Sequence, residues 1–218
     1  FAYALNYILQ INALRKNNPA KPHIITSAIE HPAVLEPFRR LETEGAEVTY
    51  LPTQKNGVVD STIFKKAIKA NTVFVSIMYV NSEVGSIQPI REMGKIIEKI
   101  NKVRAKQNNK NKIYFHTDAA QALNFLNCDT KYLHVDLLSL SGHKIYGPKG
   151  IGALFVKSGT PILGAQLGGH RPVVTADRQH QPHEERDRHQ HDPGAVRELH
   201  DRDHDEDDPG RDRPHRVD

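Results

Sequence analysis

The chain has 218 residues, with 30 Lys and Arg against 26 Asp and Glu, a formal net charge of +4, and one cysteine, Cys128. That length can bury a sizeable core, a single cysteine excludes an internal disulfide framework, and charges of both signs interspersed through the body argue against a nucleic-acid partner. No run of about 18 apolar residues is present to span a membrane and Phe1 opens no signal-peptide pattern, so a reducing, cytoplasmic setting is expected.

Phe1 to Arg15 carries Ala4, Leu5, Ile8, Leu9 and Leu14 at the spacing of an amphipathic helix already under way. It has neither an initiating methionine nor a cap, so the chain reads as beginning inside a domain. After the break at Asn17, Asn18 and Pro19, His23 to Ser27 reads as a short strand, and Pro32 takes a first helical position. Glu47 to Leu51 reads as a second strand, Ser61 to Ala70 as a helix capped by Asp60, and Thr72 to Met78 as a buried strand. Helical spacing returns over 90–107, followed by strand-like runs at Lys112 to His116, Asp136 to Leu140 and Ile151 to Val156. This alternation predicts an α/β fold, a mostly parallel central sheet flanked by helices.

From His170 onward Arg, Asp, His and Pro dominate, while Ile, Lys, Phe and Tyr vanish. The expected organisation is therefore a partial ligand-binding domain over 1–169 and a low-complexity tail over 170–218. The tail is too poor in apolar residues to bury a core, so it is expected to be disordered. Its abrupt change toward residues with G/C-rich codons reads as a shifted reading frame. His180, His183, His189, His191, His200 and His204 lack paired cysteines and regular spacing, and no metal site is expected there.

In parallel sheets ligands bind beyond the carboxyl ends of the strands. His31, Asn81, Asp118 and the run Ser141-Gly142-His143-Lys144 all fall just after predicted strands. Lys144 is either a solvated loop lysine or, between Ser and His donors that hold a phosphate, an amine able to form a Schiff base with an aldehyde cofactor. Asp118 either caps a helix or faces a protonated pyridine nitrogen, with Gln121 placed to donate to a ring hydroxyl. His31 is either a helix-entry residue or an imidazole that stacks on a planar cofactor. Asn81-Ser82-Glu83-Val84-Gly85 alone is a polar turn.

Together, Glu30-His31-Pro32-Ala33-Val34, Asn81 to Gly85, Asp118 to Gln121, Ser141 to Gly150 and Ile151 to Val156 occur in an order that resembles one family. It is the pyridoxal-phosphate (PLP) dependent cysteine desulfurases and selenocysteine lyases of the class V aminotransferase group, and the likeness covers Phe1 to Gly169. The resemblance implies the large domain of the aspartate aminotransferase-like fold, fold type I. It also implies that Lys144 holds PLP as the internal aldimine, Asp118 faces the pyridine nitrogen and Gln121 the ring oxygen. His31 would stack on the ring, Ser141 and His143 would bind the phosphate, and Asn81 and Ser82 would lie by substrate and cofactor. Ser82 stands where many relatives carry a second asparagine.

The implied reaction converts L-cysteine to alanine and passes sulfur through an enzyme persulfide to an acceptor protein, in a homodimer that serves iron–sulfur cluster assembly. No cysteine follows Lys144, and Cys128 sits elsewhere in the pattern, where it reads as a small structural residue. The expectation is therefore an incomplete, inactive form of such an enzyme. A non-catalytic binding subunit and a class V enzyme acting on selenocysteine are the alternatives.

Overall fold

A strand covered on both faces needs apolar residues in succession rather than in alternation. Two strands are buried at every position, β1 (His23–Ser27) and β3 (Thr72–Ser76), with apolar centres at Ile24-Ile25 and Val73-Phe74-Val75 flanked by buried His, Thr and Ser. The computed structural model describes residues 21–109 and 111–162; the expected opening helix and the 170–218 tail lie outside them. With β2 (Glu47–Leu51), β4 (Tyr114–Asp118), β5 (Leu137–Ser141) and β6 (Gly152–Val156), the strands form one six-stranded sheet in the order β2-β1-β3-β4-β5-β6. Pairing is parallel from β2 to β5, and β6 runs antiparallel to β5. The mostly parallel α/β sheet expected from the sequence is what forms.

Helices cover both faces. On one, α1 (Pro32–Thr43) presses Val34, Phe38 and Leu41 into a cluster with Ile24, Phe74 and Leu137. On the other, Phe64 of α2 (Ser61–Ala67), Ile90, Met93 and Ile97 of α3 (Ile90–Lys106) and Leu133 of α4 (Thr130–Leu133) join Ile25, Val75, Phe115 and Leu138. Gly94 permits the contact between α3 and α4, since a Cβ there would lie 2.3 Å from the Leu133 carbonyl oxygen.

Local chemistry explains where the elements depart from the sequence reading. The helix expected to reach Ala70 stops at Ala67, where Ile68 turns extended and the Lys69 amide donates to Thr72 Oγ1 at 2.7 Å. The strand expected over Lys112 to His116 runs instead from Tyr114 to Asp118. Asn101 of α3 occupies Ile113 on both sides, accepting from its amide at 2.9 Å and donating to its carbonyl at 2.8 Å. The short α4 was not anticipated; Asp129 caps it by accepting from the Lys131 and Tyr132 amides at 2.8 and 2.9 Å.

The expected cap at Asp60 is present, with Oδ1 accepting from the Thr62 and Ile63 amides at 2.6 and 3.1 Å. Asp60→Ala is expected to destabilise the chain, read as a lowered midpoint in urea unfolding with an unchanged slope.

One buried side chain stitches the sheet near its carboxyl edge. The ring nitrogens of His116 lie 2.8 Å from Ser76 Oγ and 3.2 Å from Ser139 Oγ, joining β3, β4 and β5. Burial pushes its pKa down to about 3, so the ring is neutral.

Candidate active site

The chain leaves β1 for β2 on one side and returns to β3 on the other. The sheet thus reverses its direction of growth between β1 and β3, and open α/β sheets bind ligands at such a crevice. A cavity of about 360 Å³ lies at these strand ends. It is lined by His31 after β1, Met78, Val80 and Ser82 after β3, Asp118 and Gln121 at β4, and Ser139, Ser141, His143 and Lys144 at β5.

Each polar group is placed by its local backbone. His31 is the N-cap of α1, where Nδ1 accepts from the Ala33 amide at 3.1 Å. Helix entry and cavity wall are both properties of this one residue. Asp118 ends β4; its Oδ1 accepts from the Ala120 amide at 2.9 Å, and the residue faces the cavity beside the small Ala120. Ser141 ends β5, with Oγ 3.0 Å from His143 Nδ1.

Lys144 sits in a 3-10 turn, Gly142–Ile145, that closes tightly on itself. The Gly147 amide donates to the Gly142 carbonyl at 2.9 Å, and the Gly142 amide to the Ile151 carbonyl at 2.8 Å. A Cβ at Gly142 would lie 2.9 Å from that Ile151 oxygen, which is why glycine stands there. Asn124 Nδ2 donates to the Lys144 carbonyl at 3.1 Å, tying the lysine's backbone to the segment after Asp118.

Of the residues singled out from sequence, His31, Ser82, Asp118, Gln121, Ser141, His143 and Lys144 come together around the cavity, and Asn81 does not. Asn81 is buried and holds the loop instead. Its Oδ1 accepts from the Glu83 and Val84 amides, each at 2.9 Å, and its Nδ2 donates to the Ile29 carbonyl at 3.0 Å. Sequence reasoning passed over Ser139, which shares a strand face with Ser141, and Asn124 and Met78, which carry no sequence signal. Cys128 is partly buried; burial pushes its thiol upward, away from a reactive thiolate.

A lysine after β5, a carboxylate at the end of β4 and a serine–imidazole pair thus share one cavity of a mostly parallel sheet, and that sheet with its flanking helices is the fold of the PLP-dependent transferases of fold type I. The Aminotransferase class-V family matches residues 3–187, and the chain belongs to that family of PLP-dependent enzymes.

"Cysteine desulfurase IscS" of Dictyoglomus turgidum (strain DSM 6724 / Z-1310) is 48% identical over 147 residues, 67% of this chain and 34% of that protein. "Probable cysteine desulfurase, mitochondrial" of Dictyostelium discoideum is 50% identical over 137 residues, 63% of this chain and 28% of that protein. Among solved structures, a "NIFS-LIKE PROTEIN" superposes with a TM-score of 0.67 at 35% identity, covering 77% of this chain and 42% of that chain. "SspA in complex with cysteine" superposes with a TM-score of 0.55 at 40% identity, covering 71% and 42%. The chain spans about a third of the length of the curated relatives it matches.

Proposed function

We infer that this chain carries the PLP-binding half of a cysteine desulfurase site. The observation that supports this most is the convergence of Lys144, Asp118, Gln121, Ser141 and His143 on one cavity, in a chain 48% identical to a cysteine desulfurase. The donor set fits the cofactor group by group: an amine for the aldehyde, a carboxylate for the ring nitrogen, a carboxamide for the ring oxygen, and hydroxyl and imidazole for the phosphate. When bound, PLP supplies an electron sink for carbanion chemistry.

The chain's own residues do the rest. Asp118 would keep the proton on the ring nitrogen, the imidazole of His31 would cover the ring, and the Ser141 and His143 pair would hold the phosphate. Ala33 and Ala120 leave room for a flat ring to approach the wall. Lys144 would hold the cofactor's aldehyde, and its Nζ would be the base that takes the α-proton of L-cysteine. Asn81 shapes the loop rather than the ligand contact, and Ser82 reaches the cavity with a short hydroxyl.

Sulfur transfer to an acceptor protein for iron–sulfur assembly needs a thiolate, and no cysteine follows Lys144. The chain by itself is thus read as unable to complete turnover. A homodimer in the cytoplasm is the proposed setting; the exposure of Phe125 (81%) and Tyr146 (97%), large side chains on segments flanking the cavity residues, supports self-association. Among the described residues no helix is long and apolar enough to cross a membrane.

The test is to titrate PLP into the full chain, follow visible absorbance, then add L-cysteine and measure alanine. Saturable visible absorbance without catalytic alanine is expected. A folded protein that develops no absorbance would refute cofactor binding, and multiple turnovers of alanine would refute the missing nucleophile.

A further inference from the structure

The strand ends that frame the cavity part company at the crevice. After β1 the Ala28 amide donates to the Leu51 carbonyl at 2.9 Å, continuing toward β2. After β3 the Ile77 and Tyr79 amides donate to the His116 and Asp118 carbonyls at 3.2 and 2.8 Å, continuing toward β4. The Met78 amide, between them, is left to the gap, where Glu30 Oε1 accepts from it at 2.7 Å. The same oxygen accepts from Ser27 Oγ at 2.7 Å.

We propose that Glu30 is a positioning residue of the site, tying the diverging ends of β1 and β3 through one carboxyl oxygen and so setting His31 and Met78 on the cavity wall. Glu30 is 4% exposed, adjoins His31 in the chain, and does not itself line the cavity. The tie is reinforced next door, where Asn81 Nδ2 holds the Ile29 carbonyl at 3.0 Å.

The protonation state follows from the geometry. Glu30 Oε2 is buried without a hydrogen-bond partner, a place where an anionic oxygen costs far more than the O–H of a neutral acid. Burial raises the pKa from 4.5 to about 8, against the opposing hydrogen bonds from Ser27 and Met78, and the negative charge of Asp118 on β4 adds to the rise. Asp118 is the charged group that reaches Glu30; the Ser27 and Met78 donors are uncharged. A neutral Glu30 therefore bridges the crevice without setting a second negative charge behind Asp118.

The sign of the pH effect is fixed by that rise. Between 4.5 and about 8 the folded chain holds a proton that the unfolded chain has released, so Glu30 takes stability away as pH increases through this window.

The proposal rests on the cavity being a cofactor site, and the experiment separates the two. Full chains of wild type, Glu30→Gln and Glu30→Ala are titrated with PLP by visible absorbance from pH about 6 to about 10, with thermal midpoints of the PLP-free proteins recorded in parallel. At neutral pH, Glu30→Gln is expected to bind PLP within about twofold of wild type, and Glu30→Ala about tenfold more weakly. Wild-type affinity is expected to fall as pH passes about 8, whereas that of Glu30→Gln stays level. In the PLP-free proteins wild type is expected to lose stability relative to Glu30→Gln from pH about 6 to about 8, and the two profiles are expected to run parallel above that. Glu30→Gln as weak as Glu30→Ala at neutral pH, or Glu30→Ala as tight as wild type, would overturn the proposal. If wild type takes up no PLP, the cofactor reading falls, and Glu30 is judged on the PLP-free series, where parallel profiles for wild type and Glu30→Gln from pH about 6 to about 8 would overturn it.

Discussion

Replacing Lys144 by alanine is expected to abolish covalent attachment of PLP while the chain remains folded. The side chain is exposed, so its removal opens no cavity in the core. The backbone of the turn is held by other groups: Asn124 on the Lys144 carbonyl and the Gly147 amide on the Gly142 carbonyl. What remains of the site in the variant, Asp118, Ser141 and His143, binds by hydrogen bonds and charge alone. PLP affinity is expected to fall about 100-fold, roughly 3 kcal/mol. The direct measurement is borohydride reduction followed by mass spectrometry of the Lys144 peptide. Wild type should carry the cofactor mass there and the variant should carry it nowhere. Equal labelling of the variant on another lysine would move the assignment away from Lys144.

The largest effect on stability is expected at Arg104, which does not line the candidate active-site cavity. Its guanidinium is buried, with Nη1 donating to the Thr72 and Asn111 carbonyls at 2.8 and 2.7 Å and Nη2 to the Lys69 carbonyl at 2.7 Å. One side chain of α3 thus satisfies carbonyls at the exit of α2, the start of β3 and the approach to β4. Arg104→Met keeps much of the packing volume but leaves these acceptors without that donor in a buried place. A loss of about 3 to 5 kcal/mol is expected, measured as a lower urea midpoint with an unchanged slope. Arg104→Lys, with one compact ammonium in place of the fork, should fall between the two. A loss below about 1 kcal/mol for Arg104→Met would mean that water or a shifted backbone replaces the guanidinium.

The fold was legible because its strands are short apolar runs separated by helical spacing, a pattern that depends only on near neighbours. β1 and β2 formed over the residues expected of them, Asp60 caps its helix and Pro32 takes the first helical position. Misplaced boundaries came from distant partners. Ile113 reads as strand by composition, yet Asn101 on α3 takes its amide and carbonyl. α4 was missed because Asp129 and the four residues after it are too short a run to show periodicity.

The candidate site was legible for a different reason. In a parallel sheet every strand ends on the same edge, so polar residues placed just after strands are bound to meet there, as His31, Asp118, Ser141, His143 and Lys144 do. Asn81 shares that sequence position but turns into its own loop, a choice set by the carbonyl of Ile29 from another strand end.

The sequence by itself determined the α/β class, the strand-end location of the candidate site and, through ordered motifs, the PLP enzyme family. Only the tertiary structure decided which polar side chains are buried and what they hold. Glu30, Arg104 and His116 look like any glutamate, helix arginine or strand histidine in sequence. Each is buried because folding leaves particular backbone or hydroxyl groups facing a gap, and a polar side chain is stable there only when it meets them. Those partners come from residues 23–48 positions away for Glu30 with Met78, Arg104 with Thr72 and His116 with Ser139, distances over which local pattern carries no information.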